Sequence, residues 1–229
     1  MNYTPFSRCP SDLHLAESLI LRGCHPLPRR RCFSPTTTPQ TTPHKTHIFD
    51  DISRFLSYKS DLDLPIPQLL QIANTPLRLV LDVGAGAGAF AAAMKVRNIT
   101  VLSTTMNLGT PNNEAAAQRG LIPLHVPLQQ RFPVFDGVVD LVRCGHGVNR
   151  WIPMMALEFL LYDVDRVLRS GGYFWLDHFF SKGVDLQKVY TPLIGKLGYK
   201  KVKWATGNKT DSKNGEVYLT ALLQKPVMR

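Results

Sequence analysis

The sequence has few cysteines and no long apolar run, and both shortages exclude classes of protein. Its 229 residues include 4 cysteines, which show neither C-x-x-C spacing nor a nearby histidine pattern suited to a closed zinc site. We therefore expect no metal centre. No stretch approaches the roughly eighteen uncharged apolar residues of a membrane span, and the first residues lack the apolar core of a signal peptide. The chain as written is expected to be soluble, with no membrane span.

The four cysteines divide into two groups. Cys9, Cys24 and Cys32 fall near the N-terminus. If that segment matures in an oxidising compartment, two of them can form a disulfide and one thiol is left over. Cys144 follows the apolar run VVDLV and is predicted to be a small buried core residue.

Acidic residues are also scarce. Asp and Glu number 17 against 27 Lys and Arg, which leaves a net charge of +10. An excess of positive charge favours anionic partners, and nucleic acid, an anionic polysaccharide and an anionic membrane surface all fit. Charge alone does not choose among them.

Composition changes sharply near residue 34. Residues 34–47 are Ser, Thr, Pro and His with almost nothing apolar, and are predicted to be a disordered linker. Residues 1–33 form a basic N-terminal arm, read as a solvated basic segment or as an organelle-targeting sequence. The length favours one main domain, predicted at residues 48–229.

Alternating patterns predict the fold of that domain. Short helices are predicted in FDDISRFL, PIPQLLQIA and PNNEAAAQRG, and a long helix in IPMMALEFLLYDVDRVLRSGG, ended by its glycine pair. Five apolar or β-branched segments are separated by helix-length spacers, which indicates an α/β fold with a mostly parallel sheet covered on both faces. These segments are LRLVLDV, ITVLSTT, LIPLHVPL, VVDLVRC and GYFWLDHF. The runs KKVKWAT and EVYLTALLQK predict an antiparallel hairpin at the sheet edge, giving seven strands.

A glycine-rich stretch, LVLDVGAGAGAF at 79–90, follows the first predicted strand. In an open α/β sheet such a turn lets backbone N–H groups approach a ligand beyond the carboxyl ends of the strands. Asp82 ends that strand, where a buried acid is costly unless paired. We expect it to face a ligand, and expect the acid at Asp140 to bond neighbouring backbone instead.

The same glycines satisfy the dinucleotide pattern G-x-G-x-x-G/A, so a nicotinamide-dependent oxidoreductase is an alternative. That alternative requires a ribose-binding acid about twenty residues further on. No acid occurs between Val83 and Asn113.

Three motifs in order resemble the class I S-adenosylmethionine-dependent methyltransferases, over residues 77–180. Residues 82–88 match the family's acid-x-Gly-x-Gly-x-Gly motif, and FPVFDGVVDLV at 132–142 is similar to its approach to strand four. DRVLRSGGYFWLDHF at 165–179 is similar to its Arg-Val-Leu-basic-Pro-Gly-Gly signature, with Ser170 in place of the proline. The resemblance implies a Rossmann-like class I methyltransferase fold.

The resemblance also implies the cofactor S-adenosyl-L-methionine, held by loops after the first two strands. The residues implied are Asp82, Gly84, Ala85, Gly86 and Gly88, then Met106, Asn107 and Leu108. Class I enzymes usually hold the ribose with an acid after strand two, where this sequence reads STTMNLG. Asn107 is the candidate substitute, because its amide both donates and accepts hydrogen bonds.

More narrowly, the segment at 99–126, YFWLDHFF and the cysteine-containing arm look like a plant-specific group, some of whose relatives are Golgi membrane proteins acting on cell-wall pectin. The resemblance suggests the Golgi lumen, while cytoplasm and plastid stay open. Members of the group tend to carry a membrane anchor and a longer spacer, and this chain is expected to be a shortened form.

Candidate acceptor-side residues follow strands four and five. His146 lies in CGHGVNRW, where the family lines the acceptor side, and is the first candidate for a base or acceptor contact. Asp177 and His178 close strand five and are the other candidates, with a structural role as the alternative. Trp151 is expected to wall the pocket or to belong to the core.

The sequence therefore predicts an S-adenosylmethionine-dependent methyltransferase. Its acceptor is expected to be the carboxylate of an acidic cell-wall polysaccharide, or else a small molecule, and a nucleic-acid partner is disfavoured. Two alternatives remain: a cofactor-binding regulatory protein without turnover, and the nicotinamide-dependent oxidoreductase.

Overall fold

A computed structural model describes residues 52–73, 75–105, 112–145, 147–208 and 215–227. Within these residues seven strands form one sheet in the order β3-β2-β1-β4-β5-β7-β6. The strands are β1 Leu79–Val83, β2 Thr100–Thr104, β3 Ile122–Leu124, β4 Val139–Cys144, β5 Leu168–Lys182, β6 Lys200–Asn208 and β7 Glu216–Gln224.

The first five strands are parallel, and β5-β7-β6 are antiparallel. Chain order reverses between β1 and β4, because the chain runs outward through β2 and β3 and then returns to the other side of β1. Ligands of open α/β sheets bind at the carboxyl ends of the strands on either side of such a reversal. The predicted α/β fold with its edge hairpin is confirmed.

Helices cover both faces of this sheet. They are α1 Ile66–Ile72, α2 Ala89–Lys95, α3 Asn112–Gln118, α4 Met154–Val167 and α5 Gly183–Asp185, continued by the π-helical turn Leu186–Tyr190 and by α6 Thr191–Gly195. On one face α1 and α2 pack over β1, β2 and β5, and on the other α4 and α6 complete a larger core. Among the described residues, no helix is both long and apolar enough to cross a bilayer.

The predicted glycine ending of the long helix is wrong. Helix α4 ends at Val167, and Gly171 and Gly172 lie inside β5. Strand pairing ends the helix before the glycine pair is reached, because Leu168 is already in register with Val139 of β4. A Cβ at Gly172 would lie 2.9 Å from the carbonyl oxygen of Arg169, so glycine is needed where the register between β4 and β5 shifts.

Two structural predictions from the core are confirmed. Cys144 is buried, with 1% of its surface exposed. Asp140 accepts backbone N–H groups from Arg78 at 2.7 Å and Leu79 at 2.8 Å. The predicted arm at 1–33 and the linker at 34–47 lie outside the described residues and stay predictions.

Candidate cofactor and acceptor site

The loop after β1 forms an open cradle of main chain. Gly84, Gly86 and Gly88 all have positive φ, between 56° and 80°, which L side chains rarely adopt. A Cβ built on Gly86 meets no atom of the described residues within 4 Å. The loop therefore leaves room for a ligand at the carboxyl end of β1.

Neighbouring strands hold this loop in place. Thr104 at the end of β2 accepts the N–H of Ala85 on its carbonyl oxygen at 2.9 Å and the N–H of Gly84 on its Oγ1 at 3.3 Å. A Cβ on Gly84 would come 3.4 Å from the Cα of Gly147, in the segment after β4. The cradle therefore lies between the ends of β2 and β4.

Asp82 lies directly beneath the cradle and is fully buried. It is in register with Ser103 of β2 on one side and Arg143 of β4 on the other. Its Oδ1 accepts a hydrogen bond from Arg143 Nη1 at 2.6 Å, whereas its Oδ2 has no partner among the described residues. A buried carboxylate oxygen without a partner is costly and needs an explanation.

Arg143 joins two acids on different strands. Besides Asp82, it contacts Oδ2 of Asp177 on β5 through Nε at 2.9 Å and Nη2 at 2.5 Å. Arg54, from the segment before α1, also pairs with Asp177. We call these side chains, together with His178, the buried charge cluster.

Sequence reasoning missed Arg143, although a signal was present. An arginine within the apolar run VVDLVRC needs an acid on a neighbouring strand if that run is buried on both faces. The structure supplies two such acids and encloses the guanidinium with aromatic rings, at 4.9 Å from both Phe55 and Phe90 and 5.5 Å from Trp175.

The two acids of the cluster differ in their protonation energetics. Complete burial raises the pKa of Asp82 above its ordinary value, and Arg143 opposes this only in part. Burial alone would also raise the pKa of Asp177, but Arg143, the hydrogen bond from His178 and the charge of Arg54 together hold it well below its usual range. Asp177 is thus a firmly ionised acid, whereas Asp82 is easier to protonate than an ordinary aspartate.

His178 is held by an irregularity in β5. The pairing of β5 with β7 shifts between Leu176 and Phe179, and His178 adopts a φ of 56°. Its Nδ1 lies 2.7 Å from Asp177 Oδ1, and its Nε2 lies 3.9 Å from Asp63 Oδ1. Because Asp177 is ionised, Nδ1 carries the proton of this hydrogen bond in the neutral ring, and Nε2 then carries the lone pair.

The end of β2 lacks an acid and carries buried hydroxyl groups instead. Ser103 and Thr105 are 0% and 3% exposed, and the hydroxyl oxygen of each has no partner. Asp82 Oδ2 is a third unpartnered oxygen close to this strand end. This set of polar atoms fits a ligand that brings its own hydrogen-bonding groups.

A groove of about 340 Å³ lies at the same edge of the sheet. Its walls are the segments after β3 and β4, including Gln129, Gly147, Asn149 and Trp151. Trp151 is 70% exposed and packs against the guanidinium of Arg150, 4.1 Å from the ring centre. Trp151 therefore walls a cavity, the first of its two predicted roles, and does not belong to the core.

A larger cavity of about 410 Å³ lies at the opposite edge, beside Lys95, Asn98 and Thr100. It adjoins the start of β2 and the end of α2, away from the cradle. Position in the fold, rather than volume, therefore favours the groove beside the cradle as the candidate site.

The structure brings together Asp82, the cradle glycines, Asp177 and His178 at one edge of the sheet. The predicted residues Met106, Asn107, Leu108 and His146 lie outside the described residues, so their roles stay predictions. Within the ranges that the structure covers, no group of His, Cys, Asp and Glu is arranged to hold a metal ion.

Comparisons with known proteins define the class. A Methanosarcina mazei protein described as a SAM-dependent methyltransferase has a similar fold, with a TM-score of 0.54 and 11% identity over 70% of this chain and 98% of its own. Geranyl diphosphate C-methyltransferase from Streptomyces coelicolor A3(2), solved with Mg²⁺, geranyl diphosphate and S-adenosyl-L-homocysteine, gives 0.52 and 9% over 69% and 78%. These likenesses concern the fold alone, which is that of class I methyltransferases.

Sequence relatives identify the family. Residues 54–191 match the family described as "Putative S-adenosyl-L-methionine-dependent methyltransferase". "Probable methyltransferase At1g29790" of Arabidopsis thaliana is 62% identical over 259 aligned positions, covering 100% of this chain and 68% of that protein. "Probable methyltransferase PMT8" of the same plant is 35% identical over 101 residues, which are 43% of this chain and 16% of that protein. The chain belongs to this family of S-adenosylmethionine-dependent methyltransferases.

Proposed function

We propose that this methyltransferase transfers a methyl group from S-adenosylmethionine to a carboxylate of an acidic polysaccharide. The observation that carries the acceptor proposal is the groove beside the cradle, where an exposed indole is stacked on a guanidinium in a chain of net charge +10. A flat apolar surface beside the Arg150 guanidinium, which also pairs with Glu216, matches a sugar ring that carries an anionic group.

The cradle fits the cofactor that the family uses. Gly86 leaves open space, and Asp82 Oδ2 is a buried acceptor without a partner. We assign Asp82, Gly84, Ala85, Gly86 and Gly88 to cofactor binding. Bound there, S-adenosylmethionine supplies an electrophilic methyl group on a positively charged sulfur. The protein then has to hold the acceptor in line with that methyl group, and positioning supplies much of the rate.

We assign the end of β2 to binding the cofactor's ribose. The buried hydroxyls of Ser103 and Thr105 have no partner in the part of the chain that the structure describes. We assign Thr105, at the strand end, to this role together with the predicted Asn107. Neutral groups accept hydrogen bonds less strongly than a carboxylate. We therefore expect weaker cofactor affinity than an acid at this position would give.

His178 is assigned to the acceptor side, with Asp177 as the residue that orients it. The hydrogen bond from Nδ1 to Asp177 leaves Nε2 on the opposite side of the ring, 3.9 Å from Asp63 Oδ1. If the acceptor is a hydroxyl, Nε2 can take its proton; a carboxylate acceptor is already ionised at neutral pH and needs no base. His178 then removes no proton, and it can hydrogen-bond the carboxylate only as the doubly protonated ring, in which Nε2 is a donor.

A labelled-methyl assay tests the acceptor. The purified chain is incubated with methyl-labelled S-adenosylmethionine and polygalacturonan, and the product is saponified. We expect label on the polymer that is released as methanol, because a methyl ester hydrolyses in base whereas a methyl ether does not. The matched control is polygalacturonan whose carboxyl groups have been reduced to alcohols, which should gain no label.

Two results would contradict the acceptor proposal. One is alkali-stable label on either polymer, which would indicate a hydroxyl acceptor. The other is turnover on a small phenol with none on polygalacturonan at any salt concentration. The variant His178→Gln separates the cases further, since a lost base costs about a hundredfold or more in kcat, whereas a lost contact to a carboxylate mainly raises KM.

A second candidate is a cofactor-binding regulatory protein without turnover. The absence of an acid at the end of the described part of β2 favours it. Calorimetric titration with S-adenosylmethionine and S-adenosylhomocysteine would distinguish the two, when combined with a search for label in fractionated plant extract. Binding with no labelled fraction would support the regulatory protein.

A further inference from the structure

We infer that Arg143 is a positioning residue for methyl transfer, which keeps Asp82 ionised and fixed so that its second oxygen serves the cofactor. The inference rests on the proposed cofactor role of Asp82. It adds a residue that lies on β4, outside the glycine motif, and that reaches the cofactor only through Asp82.

Asp82 and Arg143 are both buried. Asp82 is 0% exposed and Arg143 is 5% exposed. A buried carboxylate stays ionised only beside a cation or several hydrogen-bond donors. Asp82 receives one hydrogen bond, from Arg143 Nη1 at 2.6 Å. Arg143 is therefore what keeps the negative charge on Asp82.

Arg143 also constrains the position of the Asp82 carboxylate. The guanidinium uses Nη1 for Asp82 and Nε and Nη2 for Asp177, on strands that flank β4. Because the guanidinium is planar and bonded to acids on two sides, its own orientation is fixed, and it holds Oδ1 of Asp82 in place. With Oδ1 engaged, Oδ2 is left without a partner beneath the cradle.

Aromatic rings and a glycine enclose the guanidinium of Arg143. Its guanidinium lies 4.9 Å from the ring centres of Phe55 and Phe90. A Cβ on Gly145 would come 3.2 Å from both Nη1 and Nη2, so glycine at this position leaves space for the guanidinium. These contacts leave the side chain little freedom to turn away from Asp82.

Charged and titratable groups reach Asp82 from several elements. Strand β4 contributes Arg143 and the thiol of Cys144, whose pKa is raised by burial. Strand β5 contributes Asp177 and, through it, His178, and the segment before α1 contributes Arg54. Arg143 is the member of this set that is bonded directly to Asp82, so its removal affects the charge of Asp82 most.

The test is cofactor affinity as a function of pH. S-adenosylhomocysteine is titrated into the protein by calorimetry between about pH 6 and 9. Cofactor binding needs ionised Asp82, so affinity falls as the pH falls through its pKa. Arg143→Met raises that pKa, and the fall should move to higher pH by about one unit or more.

Three further variants complete the design. Asp82→Asn should bind weakly with no dependence on the ionisation of residue 82. The double variant Arg143→Met with Asp82→Asn should bind no more weakly than Asp82→Asn, because both changes act through one carboxylate. Arg169→Met removes the arginine that pairs with Asp140 at the far edge of the sheet, and should leave the pH profile unchanged.

The outcomes separate the two proposals. If Asp82→Asn binds like the unmodified protein, the proposed contact between Asp82 and the cofactor fails, and this inference fails with it. If Arg143→Met loses the same fraction of affinity at every pH, or the double variant is weaker than either single one, only the role of Arg143 is overturned.

Arg143→Lys keeps the experiment decisive if the methionine variant does not fold by circular dichroism. Lysine carries the same charge on a single nitrogen and cannot bond both acids in the way that arginine does. It should show a shift in the same direction as Arg143→Met, but a smaller one. A pH profile identical to that of the unmodified protein would overturn the inference.

Discussion

Two aspartate–arginine pairs lie at opposite edges of the same sheet. Asp82 lies near the carboxyl ends of the central strands, which form the cradle edge, and Asp140 lies near their amino ends, which form the far edge. The pairs differ in whether both oxygens of the carboxylate have partners. At the far edge, Asp140 accepts two backbone N–H groups on Oδ2 and pairs with Arg169 through Oδ1 at 2.5 Å. At the cradle edge, Asp82 pairs with Arg143 through Oδ1, and no residue that the structure describes is a partner of its Oδ2.

The pKa directions follow the same division. Burial alone would raise the pKa of Asp140, but the N–H groups of Leu79 and Arg78 and the charge of Arg169 together lower it. Burial raises the pKa of Asp82 despite Arg143. A satisfied acid holds strands together, whereas an unsatisfied one in a ligand cleft is typical of a functional site.

The largest effect is expected at the cradle edge. Asp82→Asn should lower the affinity for S-adenosylhomocysteine by about ten- to a hundredfold, because a hydrogen bond to a charged acceptor is lost. Calorimetric titration measures this. Asp140→Asn is the matched control and should bind the cofactor as before. Equal losses in both variants would remove the distinction between the two edges.

A smaller effect is expected from filling the cradle. Gly86→Ala places a methyl group in open space at a φ of 56°, where the cofactor is expected, and should weaken binding by about tenfold. Gly137 has a φ of 67° with nothing within 4 Å of its built Cβ, so Gly137→Ala introduces the same backbone strain far from the cradle.

Both glycine variants should lose about 1–2 kcal/mol of unfolding free energy, measured by chemical denaturation. Only Gly86→Ala should also lose cofactor affinity. If Gly137→Ala weakens the cofactor as much, the loss reflects general destabilisation and the cradle assignment fails.

At the far edge the expected effect is on stability. Asp140→Asn replaces an ionised acceptor of two N–H groups by a neutral amide, and should cost about 1–2 kcal/mol, or about 3–6 °C in Tm for a domain of this size. Thermal melts followed by circular dichroism measure it. An unchanged Tm would show that these bonds do not stabilise the sheet.

The smallest expected effect is the pH dependence of the Tm difference between Asp140→Asn and the unmodified protein. The folded-state pKa of Asp140 lies below its ordinary value of 3.8. Its contribution to stability is therefore fully present above 3.8 and is lost as the pH falls through the folded-state pKa. The Tm difference between Asp140→Asn and the unmodified protein should be constant from neutral pH down to about pH 5 and shrink below 3.8. A difference that grows in acid would reverse the assigned sign.

Much of the fold follows from local patterns. The apolar runs predicted the strands, the turn formers predicted the edge hairpin, and the spacing of Gly84, Gly86 and Gly88 predicted a ligand loop. Each depends on residues close in sequence, where periodicity and backbone freedom act directly. The family resemblance added the cofactor, which the family match supports.

The buried charge cluster could not be predicted in this way. Asp82, Arg143 and Asp177 lie far apart in sequence, and their contact depends on which strands are neighbours and in which register. The end of the long helix was mispredicted for the same reason, because pairing between β4 and β5 outweighed the glycine pair. His178 was a predicted site residue, but its approach to Asp177 depends on the irregular pairing of β5 with β7.

The sequence by itself determined the elements of an α/β methyltransferase, the glycine cradle and the acid in front of it, because these depend on short-range composition and backbone conformation. Only the tertiary structure decided that Asp82 shares one arginine with Asp177 and keeps an oxygen without a partner. Those contacts arise when parallel strands align their side chains in register, and no local pattern specifies that alignment.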